Sequence, residues 1–144
     1  MNKIFCILIL ALVSLSSHAD ETSGTLIIQI NGMLNDEGLV VANLFREGDD
    51  VMKIDKVYLQ SRGLISDKHA LLIFQNLQYG KYAVSAFHDE NGNGTLDHNM
   101  LHMPAEPLGF SNGFKLGIFT GLPSFEKLKF VFKPGTGIID IIVK

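Results

Sequence analysis

Short apolar segments with a two-residue period limit what this chain can fold into more than any other feature. Between residues 25 and 30 the side chains of Leu26, Ile28 and Ile30 fall on one side of an extended strand, and residues 82–87 alternate in the same way. This period buries one face of a strand and leaves the other face in solvent. The only long segment that resembles a helix, residues 118–128, is interrupted by Gly121 and Pro123. The pattern therefore predicts an all-β protein.

Seven such segments follow one another, with turns rich in Gly, Asn and Asp between them. Residues 35–38 have a turn composition that predicts a hairpin between the first two strands. Residues 70–74 are wholly apolar, which predicts a strand in the middle of a sheet. Seven short strands predict an antiparallel Greek-key β-sandwich of the immunoglobulin type. The predicted strands are residues 25–30, 39–45, 54–59, 70–74, 82–87, 127–133 and 138–143.

The N-terminus has the three parts of a secretory signal peptide. Lys3 supplies the basic start, residues 4–15 are almost entirely apolar, and residues 17–19 form a small-x-small cleavage site. The apolar run is shorter than the roughly 20 residues that a membrane-spanning helix requires. We therefore expect cleavage after Ala19 (residues 1–19 as signal peptide) and an exported single domain of residues 20–144.

Composition excludes several classes of protein. The only cysteine, Cys6, lies in the predicted signal peptide, so the exported chain has no disulfide, thiol nucleophile or cysteine metal site. With 12 basic and 15 acidic residues the formal charge is −3, which is unlike a nucleic-acid-binding surface. No second apolar segment is long enough to span a membrane. An exported, mildly acidic module remains, whose partner is an unknown protein or small ligand.

The most informative motif lies between residues 89 and 97 and matches the first part of a D-x-[DN]-x-[DN]-G calcium loop. In such a loop alternate side chains direct oxygen atoms toward one centre, and Gly94 permits the sharp turn. The glutamate expected at the twelfth position is replaced by Met100, so the segment is not an EF-hand. A distant acid could complete the site: Glu106 is our prediction and Glu90 the alternative. The predicted calcium ligands are Asp89, Asn91, Asn93, the carbonyl of Thr95, Asp97 and Glu106.

A turn without metal is the competing interpretation of this segment. Asn91-Gly92 and Asn93-Gly94 are favourable turn dipeptides, and Asp89 can form a turn through its own side chain. If calcium does bind, we expect a weak affinity, on the order of 10⁻⁴ to 10⁻³ M, because the site has few carboxylates. Both interpretations remain open at the level of sequence.

Two further patterns fall in the long segment of residues 88–125, which contains three of the four prolines. His98 and His102, with His88 nearby, could hold zinc or copper if they lay on a helix, but nothing predicts a helix there. Ser111 lies in a G-x-S-x-G pentapeptide, which requires a strand-to-helix turn and a later histidine. No histidine follows His102, so solvated histidines and a glycine-rich turn are the simpler interpretation.

Four blocks of the sequence resemble one exported bacterial family, domain of unknown function 2141. They are residues 77–84, 87–94, 104–112 and 123–126. The resemblance implies a bacterial envelope or secreted protein with no established activity, and the turn into residues 80–84 also resembles prealbumin-like and collagen-adhesin B-type sandwiches. Where the family commonly has Gly-Ile-Pro, this chain has His102-Met103-Pro104, which argues against a histidine metal site.

These observations together predict a periplasmic or secreted binding or accessory module that is not an enzyme, with calcium as a possible bound ion. Two alternatives come from other functional classes. One is an envelope hydrolase that uses Ser111 with His88 or His102. The other is an adhesion or assembly domain that binds another protein through an exposed strand.

Overall fold

A computed structural model describes residues 22–144, so the predicted signal peptide lies outside the described residues. Within them the chain forms eight strands, one short helix and two 3₁₀ turns, at Ile54–Lys56 and Ser111–Gly113. No helix in this part is long and apolar enough to cross a membrane. The strands are β1 (Ser23–Asn31), β2 (Leu39–Arg46), β3 (Leu59–Gly63), β4 (His69–Gln78), β5 (Gly80–Asp89), β6 (Leu108–Phe110), β7 (Phe130–Phe132) and β8 (Ile138–Ile142), and the helix is α1 (Phe125–Leu128).

The strands form two sheets, which confirms the predicted β-sandwich. One sheet has the order β4-β1-β8, and the other has the order β3-β2-β5-β6, with β7 also paired to β5. The number of strands is eight rather than seven, because the three-residue strand β6 was not predicted. The sandwich is also not wholly antiparallel, since β8 runs parallel to β1.

The predicted hairpin between the first two strands is wrong. Both edges of β1 are occupied, one by β4 and the other by β8, so β2 has no edge on which to pair. The chain instead uses residues 32–38 to cross from one sheet to the other, where β2 lies between β3 and β5.

The main core lies between the two sheets. Leu26, Ile28 and Ile30 of β1 are fully buried there together with Val84 and Ala86 of β5. The apolar residues that recur with a two-residue period in the sequence therefore form the inward face of each strand. Full burial of a large aliphatic side chain stabilises the fold by roughly 1.5–3 kcal/mol.

A second apolar cluster covers the outer face of the five-stranded sheet. Residues 82–89 of β5 are all buried, so this strand has protein on both faces. On its outer side, Ala83 packs with Phe45, Phe110 and the α1 residues Phe125 and Leu128. The long segment after β5 therefore lies against the sheet and is held there by an apolar cluster of its own.

Within residues 22–144, no such cluster covers the outer face of the three-stranded sheet. Leu71 and Ile73 of β4 are more than 45% exposed, and so are Ile138 and Ile142 of β8. The prediction that residues 70–74 form a central strand is wrong, because β4 is an edge strand of its sheet.

Two other predicted strands change in position. Residues 54–56 form a 3₁₀ turn instead of a strand. Leu59, the last residue of the predicted strand 54–59, is the first residue of β3. In residues 127–133 the first two belong to α1, which ends where Lys129 adopts an extended conformation, and only Phe130–Phe132 pair with β5.

Candidate functional site

The acidic loop (residues 89–97) begins at the last residue of β5. Asp89 is fully buried, and its two carboxylate oxygens accept the backbone N–H groups of Asn93 at 3.1 Å and Gly94 at 2.7 Å. Gly94 has a φ of +81°, a conformation that glycine adopts without strain. One buried carboxylate therefore bends the chain back on itself directly after the strand.

The alternate polar residues of the acidic loop face one another and form hydrogen bonds among themselves. The side-chain oxygen of Asn91 accepts the N–H of Asn93 at 2.9 Å, and that of Asn93 accepts the N–H of Thr95 at 2.8 Å. The amide groups of both asparagines donate to Asp97, at 2.6 Å and 3.0 Å. In this arrangement hydrogen bonds from neutral amides surround the charge of Asp97.

Glu106 returns to the acidic loop from a distant part of the chain. Its Oε1 accepts the N–H of Glu90 at 3.2 Å and its Oε2 accepts the N–H of Asp97 at 3.1 Å. One carboxylate thus joins the two ends of the loop. The other candidate, Glu90, keeps a half-exposed carboxylate that accepts a hydrogen bond from Asn35 at 3.4 Å.

Burial raises the pKa of Glu106 above its usual value. The backbone N–H groups of Asp97 and Glu90 oppose this effect, whereas the negative charges of Asp89 and Asp97 add to it. Among residues 22–144 no lysine, arginine or histidine forms an ion pair with any of these three carboxylates. The three carboxylates therefore have no ion-pair partner in this part of the chain. A basic group does lie close to the loop at Gly94, where an added Cβ would lie 2.8 Å from the guanidinium of Arg62.

A metal ion here would depend on neutral oxygen ligands. In the described part of the chain, no three His, Cys, Asp or Glu side chains are placed so that they could hold an ion by themselves. The remaining ligands would be the amide oxygens of Asn91 and Asn93 and the carbonyl of Thr95. All of these are hard oxygen donors, the type that calcium prefers.

The three histidines are not brought together. His88 is fully buried in the interior of the sandwich, with Nε2 2.7 Å from the carbonyl oxygen of Glu37. Its Nδ1 has no hydrogen-bond partner within residues 22–144 and lies 3.8 Å from Glu90 Oε1. His98 and His102 lie outside the sandwich in a non-helical turn, in which His102 has a φ of +57°. The helical spacing required for a shared zinc or copper ion is therefore absent.

Ser111 has a structural position. Its buried hydroxyl accepts the N–H of Val84 at 2.9 Å and donates to the carbonyl of Leu128 at 2.6 Å. It thereby fills the gap between β6 and β7 on the same edge of β5. His88 lies four residues beyond Val84 along β5, which is about 13 Å at roughly 3.3 Å per residue. The structure therefore does not pair Ser111 with His88.

A large apolar cavity on the outer face of the five-stranded sheet was not predicted from the sequence. Its volume is about 580 Å³, and Ser85, Leu108 and Phe110 form its floor. Its walls come from residues 51–54, 96–104 and 116–123. The only sequence indication was an excess of aliphatic residues in the long segment, which has no strand or helix period.

A second cavity of about 520 Å³ adjoins the first. The two lie side by side along β6, and we call them together the groove. Their shared lining residues are Met103, Pro104, Leu108, Phe110 and Leu116. Glu106 lines the second cavity as well as closing the acidic loop. The two features are therefore neighbours on one side of the molecule.

Comparisons with known proteins place the chain in a family without an established activity. No curated protein and no solved structure matches it. One family profile, described as "Uncharacterized protein conserved in bacteria (DUF2141)", matches residues 28–139. This range covers most of the chain, including the acidic loop and all of the strands from β2 to β7, and it confirms the resemblance seen in the sequence. The chain therefore belongs to this bacterial family.

Proposed function

We propose that the chain is an exported, non-catalytic binding module whose long segment is organised by a calcium ion. The observation that carries this proposal is the return of Glu106 to both ends of the acidic loop. The proposed ligands are the side chains of Asp89, Asn91, Asn93, Asp97 and Glu106 and the carbonyl oxygen of Thr95.

Electrostatics supports a cation at this position. Asp89, Asp97 and Glu106 lie near one another and form no ion pair among the described residues, and the charges of the two aspartates contribute to the raised pKa of Glu106. A divalent cation would relieve this repulsion more effectively than the amide N–H groups do. Three carboxylates with neutral oxygens correspond to a weak site, with a Kd on the order of 10⁻⁴ to 10⁻³ M.

Binding would require an exchange of hydrogen bonds within the loop. Asp97 now accepts from the amide groups of Asn91 and Asn93, and these amides would have to turn their oxygen atoms toward the ion. The self-bonded turn is thus the state that competes with calcium.

The test is a calorimetric titration of the mature protein with calcium, together with melting curves at millimolar calcium. We expect binding heat and a rise in Tm, because an ion that binds only the folded state stabilises it. Asp89→Asn should abolish both effects. The matched control is Asp49→Asn, since Asp49 also accepts a backbone N–H in a turn, at 2.7 Å from Arg46, but lies outside the acidic loop. Absence of heat and of any Tm shift in the unsubstituted protein would leave the metal-free turn as the correct interpretation.

A non-catalytic, extracytoplasmic role is part of the same proposal. The non-catalytic role is supported by Ser111, whose hydroxyl is hydrogen-bonded to backbone groups, and by His88, which is buried in the core. The extracytoplasmic location is supported by the signal-peptide pattern of residues 1–19. N-terminal sequencing of protein recovered from the periplasm or medium of a bacterial host should begin at Asp20, and recovery of the uncleaved chain from the cytoplasm would contradict export.

A further inference from the structure

The groove along β6 has the size and chemistry of a ligand site. Its larger cavity, about 580 Å³, falls within the range of roughly 300–1,000 Å³ that is typical of small-molecule sites. The lining is apolar except for a few groups, chief among them Ser85 on the floor and His98 and His102 in the wall. Such a site favours a ligand whose buried part is a hydrocarbon.

The mouth of the cavity continues this apolar surface outward. Met100, Leu101, Ile118, Phe119 and Leu122 are each between 68% and 102% exposed, and we call them the apolar rim. Exposed side chains of this size, concentrated at two neighbouring turns, mark a surface that meets an apolar partner. The rim is held in place by Lys127, whose ammonium group donates to the carbonyl oxygens of Thr120 and Leu122 at 2.8 Å and 2.9 Å.

The charged groups that could hold the polar end of a ligand lie at one end of the groove. Between residues 98 and 125 the only acid is Glu106, and its carboxylate is already bound to two backbone N–H groups of the acidic loop. At the other end of the groove Lys115 and Lys144 line the smaller cavity, where Asp140 is the one other charged residue apart from Glu106. The apolar end therefore carries no free carboxylate. The polar end carries two lysines that form no ion pair within residues 22–144, beside the exposed carboxylate of Asp140.

We propose that this groove binds a fatty acid, with the acyl chain in the larger cavity and the carboxylate near Lys115. The inference names the ligand class of the binding module proposed above. It does not require calcium, because Glu106 is the only proposed calcium ligand that lines the groove. A cationic peptide would find no free carboxylate at the apolar rim, and a neutral hydrocarbon would not use the lysines.

The probe is the naturally fluorescent cis-parinaric acid, titrated into the full mature protein and displaced with palmitic acid. We expect saturable fluorescence. Leu116→Asp should weaken binding by at least about tenfold, which corresponds to about 1.4 kcal/mol, because Leu116 lines both cavities. The matched control is Leu64→Asp, at an exposed leucine of the β3–β4 turn, which should bind as the unsubstituted protein does. Lys115→Glu should weaken the binding of palmitic acid but not the binding of its methyl ester.

Three outcomes would overturn the inference: no saturable binding, an equal loss in both leucine variants, or flotation with phosphatidylglycerol vesicles without any uptake of the fatty acid. The last outcome would assign the apolar rim to a bilayer surface instead. Titrating the unsubstituted protein with calcium and, separately, with the fatty acid distinguishes the two proposals. Fatty acid binding without calcium heat retains the groove and rejects the ion, and calcium heat without fatty acid binding rejects the groove alone.

Discussion

At the scale of single residues, Ser111 shows how a motif can match in sequence and serve another purpose in the fold. The edge of β5 is shared by β6 and β7, and between them the backbone groups of Val84 have no strand partner on that side. The Ser111 hydroxyl supplies the missing partner and also binds the carbonyl of Leu128. Because a hydroxyl both donates and accepts, one serine can satisfy both groups.

We therefore predict that Ser111→Ala lowers the free energy of unfolding by about 1–3 kcal/mol, because a buried N–H and a buried carbonyl would lose their partner. Urea denaturation followed by circular dichroism measures the change. Ser124→Ala is the control, since Ser124 precedes α1 without a side-chain capping hydrogen bond. An unchanged stability would contradict this structural role, and an esterase activity that disappears in Ser111→Ala would restore the hydrolase hypothesis.

Glu106 makes the stability of the fold depend on pH. Burial raises its pKa in the folded protein, so the folded state holds the proton more tightly than the unfolded state does. The stabilisation that follows is present below the ordinary pKa of a glutamate and is lost as the pH rises through the raised value. Glu106→Gln removes this dependence, because glutamine does not titrate.

We predict that, without calcium, the stability of Glu106→Gln relative to the unsubstituted protein increases as the pH rises through this interval. Unfolding in urea at a series of pH values measures the difference. Glu37→Gln, at an exposed glutamate, is the control and should follow the unsubstituted protein. Calcium affinity should fall on acidification through the same interval, since proton and ion compete for one carboxylate. Parallel curves for Glu106→Gln and the unsubstituted protein would show that this carboxyl does not titrate differently on folding.

At the scale of elements, period and composition predicted the strands that bury one regular face. β1 and β5 were predicted because their inward residues alternate over their whole length. β6 was missed because it has three residues and is stabilised by partners far away in sequence, namely residues 85–87 of β5 and the backbone of Lys144. The hairpin error has a related cause: turn composition at residues 35–38 predicts a reversal but not the sheet to which the chain goes next.

The crossing between the sheets depends on one close approach. Gly38 has a φ of +70°, and a Cβ at this position would lie 2.0 Å from the carbonyl oxygen of Asp89. Gly48 has a comparable φ of +95°, but a Cβ there would meet nothing within 4 Å. The two glycines therefore share the conformational requirement and differ in the steric one.

We predict that Gly48→Ala costs about 1 kcal/mol, the usual penalty for alanine with positive φ. Gly38→Ala should cost considerably more, because the backbone at the start of the acidic loop must also move. Chemical denaturation of the two variants measures both values, and calcium titration of Gly38→Ala reports on the loop itself. Equal losses of stability in the two variants would mean that Gly38 is not in close contact with the backbone of Asp89.

At the scale of the whole molecule, the two faces of the sandwich differ in what covers them. The five-stranded sheet carries the acidic loop, the apolar cluster and the groove. On the outer face of the three-stranded sheet, by contrast, Ile73 and Ile138 are exposed on either side of the half-buried Ile27, in register with it. Sequence predicted the sandwich and the acidic loop, because both depend on local patterns. It could not predict the groove, whose lining residues come from four separate segments and have no common spacing. The bare apolar face is also the surface that an assembly or adhesion role would use.

This asymmetry predicts how backbone protection is distributed. β1, β2 and β5 each have both edges paired and lie next to the core, so their amides should open only on global unfolding. Amides of residues 115–122 should exchange fastest, because few of them bond to other backbone groups in the described chain. Hydrogen exchange followed by mass spectrometry measures both sets, and calcium should slow exchange in residues 89–97 without changing β1. Exchange in β1 as fast as in residues 115–122 would show that the three-stranded sheet is not held cooperatively against its partner.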